Sequence, residues 1–519
     1  MKGNTLDDYD LPDGPTFYQV KCDGLVSSNI VSVDPFLPSS GYTAHSNTVK
    51  SPLDLRSFHI SGPDGQVFNY VYKPVATPDR FHILANDKVV LTGSQVCSSA
   101  IEHMSAADYQ MHATKHSSKS LLYKGRLIRP GEDLQQLSEC FLEGFKSRYN
   151  PLTKEVVLWA HFENSTGYSA ARLLAAHGPP GETMTVSFAE RPLGIDSHDL
   201  DFFVDDGHSG YIISAANGNT DINIYSLTSD WTQIHALEAT TLQRARREAP
   251  SVVRVGGLYY LFTSATAGWY PSESTYIVAS SMAGPWSTQT TIGGLTCYGS
   301  QSGLIHRVGS SFAMVSNIWG SHWARPARQG SRQLLLPLSL APDVRKAHLH
   351  FYPRVMYKDS NDLKDGQAIY GVQAGRILSQ GKPVTGGFGD GRETDGQYDS
   401  RVGGWLPGSN GSPPQVAISI SDTVSQPVFK ITAIEVHFTT VPGSEMYYDT
   451  VIDAISKGTK SGPELRLVTS DQSKAEPGFQ HYAMTSKLKD VTSVIVQFGM
   501  LRASSGIPAQ VVEIVIYGY

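Results

Sequence analysis

The feature that most constrains the fold of this chain is a unit repeated four times between residues 147 and 317. Each copy has a short apolar strand, a tight turn and a second strand rich in aromatic residues. The copies span Ser147–Asn164, Asp201–Asn217, Ser251–Thr266 and Ser302–Asn317. Successive turns lie 57, 49 and 53 residues apart, at Asn150, Gly207, Gly256 and Gly309. Four short strands in about 50 residues are typical of one β-propeller blade.

A weaker copy, Phe81–Ser94 with Tyr109–Gly125, predicts a further blade before the other four. Beyond residue 350 the strands become longer and alternate in polarity, which is typical of an antiparallel jelly-roll sandwich. We therefore predict an all-β chain, with a five-bladed β-propeller followed by a β-sandwich. The expected parts are an irregular N-terminal extension, the propeller, a linker and the sandwich, over 1–65, 66–350, 351–374 and 375–519.

Charge and hydropathy exclude several classes of partner. Lys and Arg number 42 against 48 Asp and Glu, so the net charge is −6, and the sequence contains no polybasic run. We therefore expect neither nucleic acid nor a membrane surface as a partner. The first residues, MKGNTLDDYDLPDG, are too polar for a signal peptide. Either the protein stays inside the cell or a leader has been removed.

The four cysteines, Cys22, Cys97, Cys140 and Cys297, form no C-x-x-C pair. Their spacing excludes a ribbon-type zinc site, and we expect no metal in the catalytic site. Buried free thiols and one or two disulfides both remain open.

Polar residues near the strand ends of four successive blades are candidates for chemistry. They are Glu163, Asp199, Glu248 and Gln301. Glycoside hydrolysis needs a protonated carboxyl group for the leaving oxygen and a second group that activates water or attacks the sugar. A neighbouring carboxylate keeps the pKa of the acid high by like-charge repulsion. The alternative is that each acid caps a strand or pairs with Arg246 or Arg247.

Five motifs in this order carry a resemblance to a known family: SHDLDFFVDDG, RREAPSVV, TSATAGW, YGSQSG and LLLPLSL. Over about residues 140–345 the chain resembles the galactan 1,3-β-galactosidases of glycoside hydrolase family 43, which are exo-β-1,3-galactanases with a five-bladed β-propeller. The resemblance implies release of galactose from β-1,3-galactan, the backbone of arabinogalactan, by an inverting single displacement. It implies no cofactor for catalysis, and it favours a secreted or extracellular protein.

The resemblance also assigns roles to single residues. Glu248 corresponds to the general acid, Asp199 to the residue that modulates its pKa, and Gln301 to the position of the base. Glu163 would bind sugar hydroxyls at the −1 subsite. Further substrate contacts would come from Thr266, Trp269, Asn217 and Asn219, with Trp269 offering a face for stacking.

Two departures from the family keep alternatives open. The first blade lacks the family's His-Gly-Gly-Gly segment, and no aspartate stands at the position of the base. Gln301 could position water or act through its imidic tautomer, and Glu163 is the chemical alternative. The chain could instead be a carbohydrate-binding propeller without turnover, or a family-43 hydrolase of another specificity such as an arabinofuranosidase.

The C-terminal part has its own resemblance. Gly375–Gly387, Asp395-Gly396, Trp405 and the closing EIVIYGY resemble discoidin-like carbohydrate modules with the galactose-binding fold. The resemblance implies either sugar binding or a structural role. It also implies that a structural Ca²⁺ could be held by loop oxygens, although no ligand set can be read from the sequence.

Overall fold

The computed structural model describes isolated strands before residue 128 and most of the chain from residue 140 onward. The described residues of that second part are 140–164, 167–180, 182, 184–308, 311–319, 332–359, 367–372, 374–388, 391–399, 404–408, 414–421, 431–439, 447–456, 465–468, 476–484, 491–501 and 508–518. They form an all-β structure of several sheets.

The described residues before residue 95 form seven strands. They are β1 (Thr16–Gln19), β2 (Ile30–Val33), β3 (His45–Ser46), β4 (Ser57–Ser61), β5 (Val67–Pro74), β6 (Arg80–Ala85) and β7 (Lys88–Ser94). Strands β4 to β7 form one antiparallel meander, which we call the first sheet. It begins at Ser57, before the boundary at residue 66 expected from the sequence.

The second sheet has seven strands, in the order β10-β9-β14-β13-β12-β11-β8. Their bounds are β8 (Met111–His112), β9 (Leu122–Tyr123), β10 (Arg126–Leu127), β11 (Cys140–Asn150), β12 (Glu155–Asn164), β13 (Gly167–Gly178) and β14 (Thr185–Glu190). The segment that the sequence places with the first blade, 109–125, thus supplies short edge strands to the second sheet instead.

Three more four-stranded antiparallel meanders follow in chain order. The third sheet contains β15 (Leu200–Val204), β16 (Gly210–Ala216), β17 (Asp221–Leu227) and β18 (Ile234–Thr241). The fourth contains β19 (Arg247–Val255), β20 (Leu258–Ala265), β21 (Ser274–Ala279) and β22 (Thr290–Ile292). The fifth contains β23 (Ile305–Val308), β24 (Ser311–Ile318), β25 (Arg332–Ala341) and β26 (Lys346–Leu349).

Strand β20 shows why the aromatic strands form and where they pack. Side chains alternate between the two faces of a strand. Tyr260 and Phe262 join the core shared with the fifth sheet, whereas Tyr259 and Leu261 join the core shared with the third. Both faces are therefore covered, which accounts for the nearly continuous apolar run. The preceding turn is Gly256-Gly257, with φ of 59° and 78°, the left-handed geometry that a two-residue hairpin turn requires.

The first long strand of each of these five sheets, namely β4, β11, β15, β19 or β23, lies beside that of a neighbouring sheet. We call these five the first strands. Strand β11 contacts both β4 and β15, and β19 contacts both β15 and β23. Side chains connect strands that belong to different sheets: Val252 N donates to Asp201 Oδ2 (2.8 Å), and Ile305 N donates to Ser251 Oγ (3.1 Å). The starts of these strands are thereby brought together.

A further sheet combines strands from distant parts of the chain. Strands β27 (Arg354–Asp359) and β28 (Gln367–Val372) pair with each other, and the sheet order is β1-β2-β28-β27-β3. The sequence predicts irregular structure before residue 66 and a linker over 351–374. The observed strands β1 to β3 differ from the first expectation, and β27 and β28 differ from the second. Because the paired residues of β2 and β28 are 340 residues apart, no local repeat reveals the pairing.

The C-terminal part contains two antiparallel sheets. One has the order β29-β37-β32-β35, and the other β30-β31-β36-β33-β34. Their bounds are β29 (Arg376–Ile377), β30 (Val384–Gly386), β31 (Gln415–Ser419), β32 (Ile431–Thr439), β33 (Tyr447–Ser456), β34 (Leu465–Val468), β35 (Phe479–Ala483), β36 (Val491–Leu501) and β37 (Gln510–Gly518). Buried side chains from both sheets form one core, to which Val436, Val496 and Ile514 belong.

Short 3₁₀ turns lie at Pro192–Gly194, Pro342–Val344 and Arg392–Thr394. Within the described segments, no helix has the length and apolar character needed to cross a membrane. Cys297 is a buried free thiol, and Cys22 and Cys97 lie outside the described residues.

Candidate active site

Glu248 is the centre of the polar cluster at the strand starts. It is the second residue of β19, where a β-bulge follows before Ser251, and it is only 8% exposed. Burial raises the pKa of Glu248 well above its usual value, and the charge of Asp199 raises it further. A raised pKa favours the protonated form of the carboxyl group, which is the form that a general acid needs.

Asp199 is held beside Glu248 by the backbone. It immediately precedes β15, and its Oδ2 accepts a hydrogen bond from Ala249 N, the residue after Glu248 (3.0 Å). Its own carbonyl accepts from Ala215 N (2.9 Å). This places Asp199 as a neighbouring charge that favours the protonated form of Glu248.

Gln301 lies in direct contact with the acid. Its Nε2 donates to Glu248 Oε1 (2.9 Å) and to Ser264 Oγ (3.1 Å), and its Oε1 accepts from Trp319 Nε1 (2.9 Å). The backbone of Gln301 is fixed by a bridge to Asn317. The amide is therefore oriented on both sides, and the second lone pair of Oε1 remains as an acceptor.

Glu163 occupies a different position from the one expected. It lies on β12, the second strand of its sheet, and has no exposed surface. Its Oε2 accepts from Ala170 N (2.9 Å) and its Oε1 from Ala171 N (3.0 Å). His161 Nε2 also donates to Oε1 (2.9 Å). A carboxylate bonded in this way anchors the strands, and this geometry favours neither a sugar contact nor water activation by Glu163.

Glu143 is the acid that the sequence analysis missed. It lies on β11, the first of the four long strands of the second sheet, and its charge contributes to the raised pKa of Glu248. His161 Nδ1 lies 3.5 Å from Glu143 Oε2. The repeat contains the signal that would have identified it: Glu143 precedes Asp199 by 56 residues, close to the steps of 49 and 53 to Glu248 and Gln301.

His161 bridges these two acids as a buried cation. Burial alone would lower the pKa of His161, but its hydrogen bonds with Glu143 and Glu163 raise it to about 9. His198 lies next to it, with Nδ1 3.7 Å from Glu163 Oε1. The positive charge of His161 thus partly balances the acids beneath the site.

The other residues assigned to substrate divide into two groups. Asn219 Nδ2 donates to Glu248 Oε2 (3.4 Å), and Thr266 Oγ1 donates to the carbonyl of Asn219 (3.4 Å). Trp269 packs edge-on against Trp319, the partner of Gln301, with ring centroids 4.8 Å apart. Asn217 instead belongs to the β16–β17 turn, where its Nδ2 donates to Asp221 Oδ2 (2.7 Å). We therefore place Asn219, Thr266 and Trp269 at the site.

The two arginines considered as partners of the acids bind elsewhere or point outward. Arg247 donates to Thr263 Oγ1 (3.1 Å) and to the carbonyl of Glu273 (2.9 Å), and its Nη1 lies 3.6 Å from Glu273 Oε2. Arg246 is exposed. The hydrogen bonds described for Glu248 come from amide groups, and the charge of Arg247 acts on Glu248 only as a lesser influence that lowers its pKa.

Two groups of three side chains among the described residues lie close enough to hold a metal: His161, Glu163 and His198, and Glu143, His161 and Asp199. Both include His161. The two His161 nitrogens already face carboxylate oxygens, Nε2 that of Glu163 and Nδ1 that of Glu143, and Glu163 is bonded to two backbone amides. These residues therefore do not fit a metal centre. Neither group lies in the C-terminal sheets, so the Ca²⁺ expected there remains a prediction.

No protein-family model matches the chain, and no curated protein matches it either. Solved structures to which the chain is similar include an exo-β-1,3-galactanase from Phanerochaete chrysosporium with β-1,3-galactotriose, at 19% identity and a TM-score of 0.47, covering 89% of this chain and 99% of that one. An exo-β-1,3-galactanase from Clostridium thermocellum has 21% identity and a TM-score of 0.47, and the match covers 88% of this chain and 98% of that one. A putative exo-β-1,3-galactanase from Bifidobacterium bifidum has 20% identity and a TM-score of 0.42, and the match covers 60% of this chain and 97% of that one.

Proposed function

We propose that this chain is an exo-acting glycoside hydrolase that releases galactose from β-1,3-galactan by an inverting single displacement. The observation that carries the proposal is Glu248, a buried carboxyl group whose pKa is raised by burial and by Asp199. Such a group can donate a proton to the glycosidic oxygen as the bond to the anomeric carbon breaks. The motifs around Glu248, Asp199 and Gln301 supply the choice of galactan.

The first step would be proton transfer from Glu248 to the leaving oxygen. Asp199 keeps Glu248 protonated before the transfer, and Asn219 Nδ2 holds the second oxygen of the carboxyl group. A water molecule would attack the anomeric carbon from the opposite face of the sugar, which inverts the configuration, and the proton that it loses would pass to Gln301 acting as its imidic tautomer and from there to solvent. Glu143, on the neighbouring strand β11, would accept a hydrogen bond from a sugar hydroxyl.

Gln301 is our candidate for positioning this water. It lies only 2.9 Å from Glu248, whereas an inverting enzyme holds its two groups ~6.5–9.5 Å apart to make room for water. The sugar must therefore enter between the two side chains and break their hydrogen bond. Trp319 would keep the amide oriented during this movement, because it binds Gln301 Oε1 from the other side.

The architecture that we infer is a five-bladed β-propeller followed by a β-sandwich. The first to fifth sheets would be the blades, with β4, β11, β15, β19 and β23 around the axis. The two C-terminal sheets share one core, as the layers of a sandwich do. Because a polysaccharide does not enter cells intact, we also propose that the protein acts outside the cell.

A carbohydrate-binding protein without turnover is the second candidate. The observation that favours it is the amide of Gln301 at the position where hydrolases of this type carry a second carboxylate. Both candidates predict binding of galactose-containing oligosaccharides, and only the first predicts a product.

Incubation with β-1,3-galactan and with aryl glycosides of galactose and arabinofuranose tests the proposal. We expect free galactose from the galactan and no arabinose. Arabinose release would indicate another specificity. Oligosaccharide binding without any released sugar would support the second candidate.

A further inference from the structure

The segment that precedes Gln301 has an unusual backbone. Residues 293–300, which we call the Gln301 loop, include Cys297 and Tyr298 with φ of 45° and 54°. Residues with a side chain rarely adopt this left-handed region, so the surroundings must hold the loop in place. The loop ends at the residue before Gln301, so it helps to fix the Gln301 backbone together with the bridge to Asn317. The orientation of the Gln301 amide depends on where that backbone lies.

The C-terminal part of the chain supplies polar contacts to this loop. Thr296 Oγ1 donates to the carbonyl of Gly478, 182 residues away in the sequence (2.9 Å). Gly294 N donates to Asp399 Oδ1. A Cβ atom added to Gly299 would lie 3.2 Å from Phe479 Cβ, so the two backbones approach closely there.

Aromatic residues of the C-terminal part also enclose the one large side chain of the loop. Tyr298 is 5% exposed, and its ring lies 5.6 Å from Phe479, 6.1 Å from His437 and 6.4 Å from Tyr398, measured between centroids. Its hydroxyl donates to the carbonyl of Leu349 (3.0 Å). Phe479 is the C-terminal member of the core cluster that Tyr298 shares with the fourth and fifth sheets.

We infer that the C-terminal sheets position Gln301 by holding this loop, so that they take part in the reaction without touching the substrate. The expected effect of the C-terminal sheets on the reaction rate rests on the proposed function. Their expected effect on the Gln301 loop rests on the contacts alone. Phe479 and Thr296 are positioning residues in this account.

Kinetics of Phe479→Ala test the effect on the rate. We expect kcat on a β-1,3-galactooligosaccharide to fall by about tenfold or more, with KM changed less, because water positioning acts on the chemical step. Phe498→Ala is the matched control: Phe498 is equally buried in the C-terminal core, where it packs on Trp405 and Tyr448. In a Gln301→Ala background, Phe479→Ala should cost no further kcat.

Hydrogen–deuterium exchange tests the loop without any activity. Amides of 294–301 should exchange about tenfold faster in Phe479→Ala, and unchanged in Phe498→Ala. Thr296→Val removes only the hydroxyl that binds Gly478 and should show the same change to a smaller degree, which covers a failure of Phe479→Ala to fold.

The outcomes separate the two proposals. Equal kcat losses in both phenylalanine variants, or unchanged exchange of the Gln301 loop in Phe479→Ala and Thr296→Val, would overturn the inference. A wild-type protein that releases no sugar while its loop exchange responds as expected would contradict the proposed function and support the structural coupling.

Discussion

At the scale of single residues, the chemistry depends on how Glu248 keeps its proton. Burial is the main cause of its raised pKa, and Asp199 is the second. Asp199 is itself held by Ala249 N, so its charge has a fixed place beside the acid. Burial and Asp199 thereby favour the protonated form of Glu248, and they outweigh the charge of Arg247, which lowers its pKa.

Asp199→Asn should shift the pH dependence of kcat/KM. The variant retains an oxygen for Ala249 N but removes the negative charge, which lowers the pKa of Glu248. Activity requires protonated Glu248 and falls as the pH rises through that pKa, so the alkaline limb should move to lower pH. The pH–rate profile checks this, with the exposed Asp206→Asn as control. An alkaline limb that stays in place in folded Asp199→Asn would contradict the pairing.

His161→Gln should change how stability depends on pH. The pKa of His161 is raised to about 9 in the folded protein, above its ordinary value of 6.5. Its stabilisation is therefore complete below pH 6.5 and is lost as the pH rises through about 9, by an amount on the order of 3 kcal/mol. Denaturant unfolding between pH 6 and about 9.5 measures it.

The wild type should lose stability over that range relative to His161→Gln. His177→Gln is the matched control, since His177 binds Glu155 (2.7 Å) at the half-exposed side of the same sheet. Parallel pH curves for the wild type and His161→Gln would show that the buried cation does not bridge the acids.

The positions of the site residues could be predicted only where a residue was assigned to the correct strand of its repeat. Asp199, Glu248 and Gln301 lie at equivalent starts of first strands, so their meeting follows from the repeat. Glu163 lies at the end of a second strand, and the sequence alone does not distinguish that position from the start of a first strand. The bridge through His161 to Glu143 depends on a register between β11 and β12 that no local pattern specifies.

At the scale of elements, the first strands of the sheets are joined by side chains and not by a shared ladder. Asp201, on β15, accepts from Val252 N on β19, and Ser251 accepts from Ile305 N on β23. Each bond gives a backbone N–H group of an edge strand a side-chain acceptor from the neighbouring sheet. Such groups are costly when buried and unpaired, so these side chains fix how neighbouring sheets sit.

Asp201→Ala should therefore destabilise the protein more than an ordinary surface change. Asp201 is 2% exposed, and its loss leaves Val252 N without an acceptor, which costs ~1–3 kcal/mol. Asp206→Ala, at an exposed position after the same strand, should change stability by less than ~0.5 kcal/mol. Denaturant titrations of both variants measure the difference. Equal stabilities would show that the bond between the sheets contributes nothing.

Strand identity in the repeats could be predicted because each aromatic strand is covered on both faces and so keeps a distinct composition. The strands of the five-stranded sheet that contains β27 and β28 could not be predicted from the sequence. They are short, and their partners lie far away in the sequence, so their pairing leaves no periodic signal.

At the scale of the whole molecule, one core connects the C-terminal sheets to the fourth and fifth sheets. Phe479 packs in the same cluster as Tyr298 and Leu349, and it contacts Phe351 with centroids 4.7 Å apart. Contacts that bury large aromatic surface in a common core favour joint unfolding. The resemblance of the C-terminal part to a carbohydrate module gave no sign of this, because a core across two folding units depends on shape and not on motif.

We expect a single main transition in differential scanning calorimetry that includes both the repeats and the C-terminal sheets. Phe479→Ala should weaken the connection and separate the transition into two, whereas Phe498→Ala should lower its temperature without dividing it. Two well-separated transitions in the wild type would show that the shared core does not couple the parts.

Proton NMR of β-1,3-galactobiose during its first minutes with the wild type and with Glu248→Gln tests whether Glu248 is the acid of an inverting hydrolase. The wild type should release galactose first as the α-anomer, because a single displacement inverts the β-linkage. Glu248→Gln should retain the fold and lose about 10²- to 10⁴-fold in rate, the usual effect of removing a general acid. Release of the β-anomer first, or comparable hydrolysis by Glu248→Gln, would contradict the account.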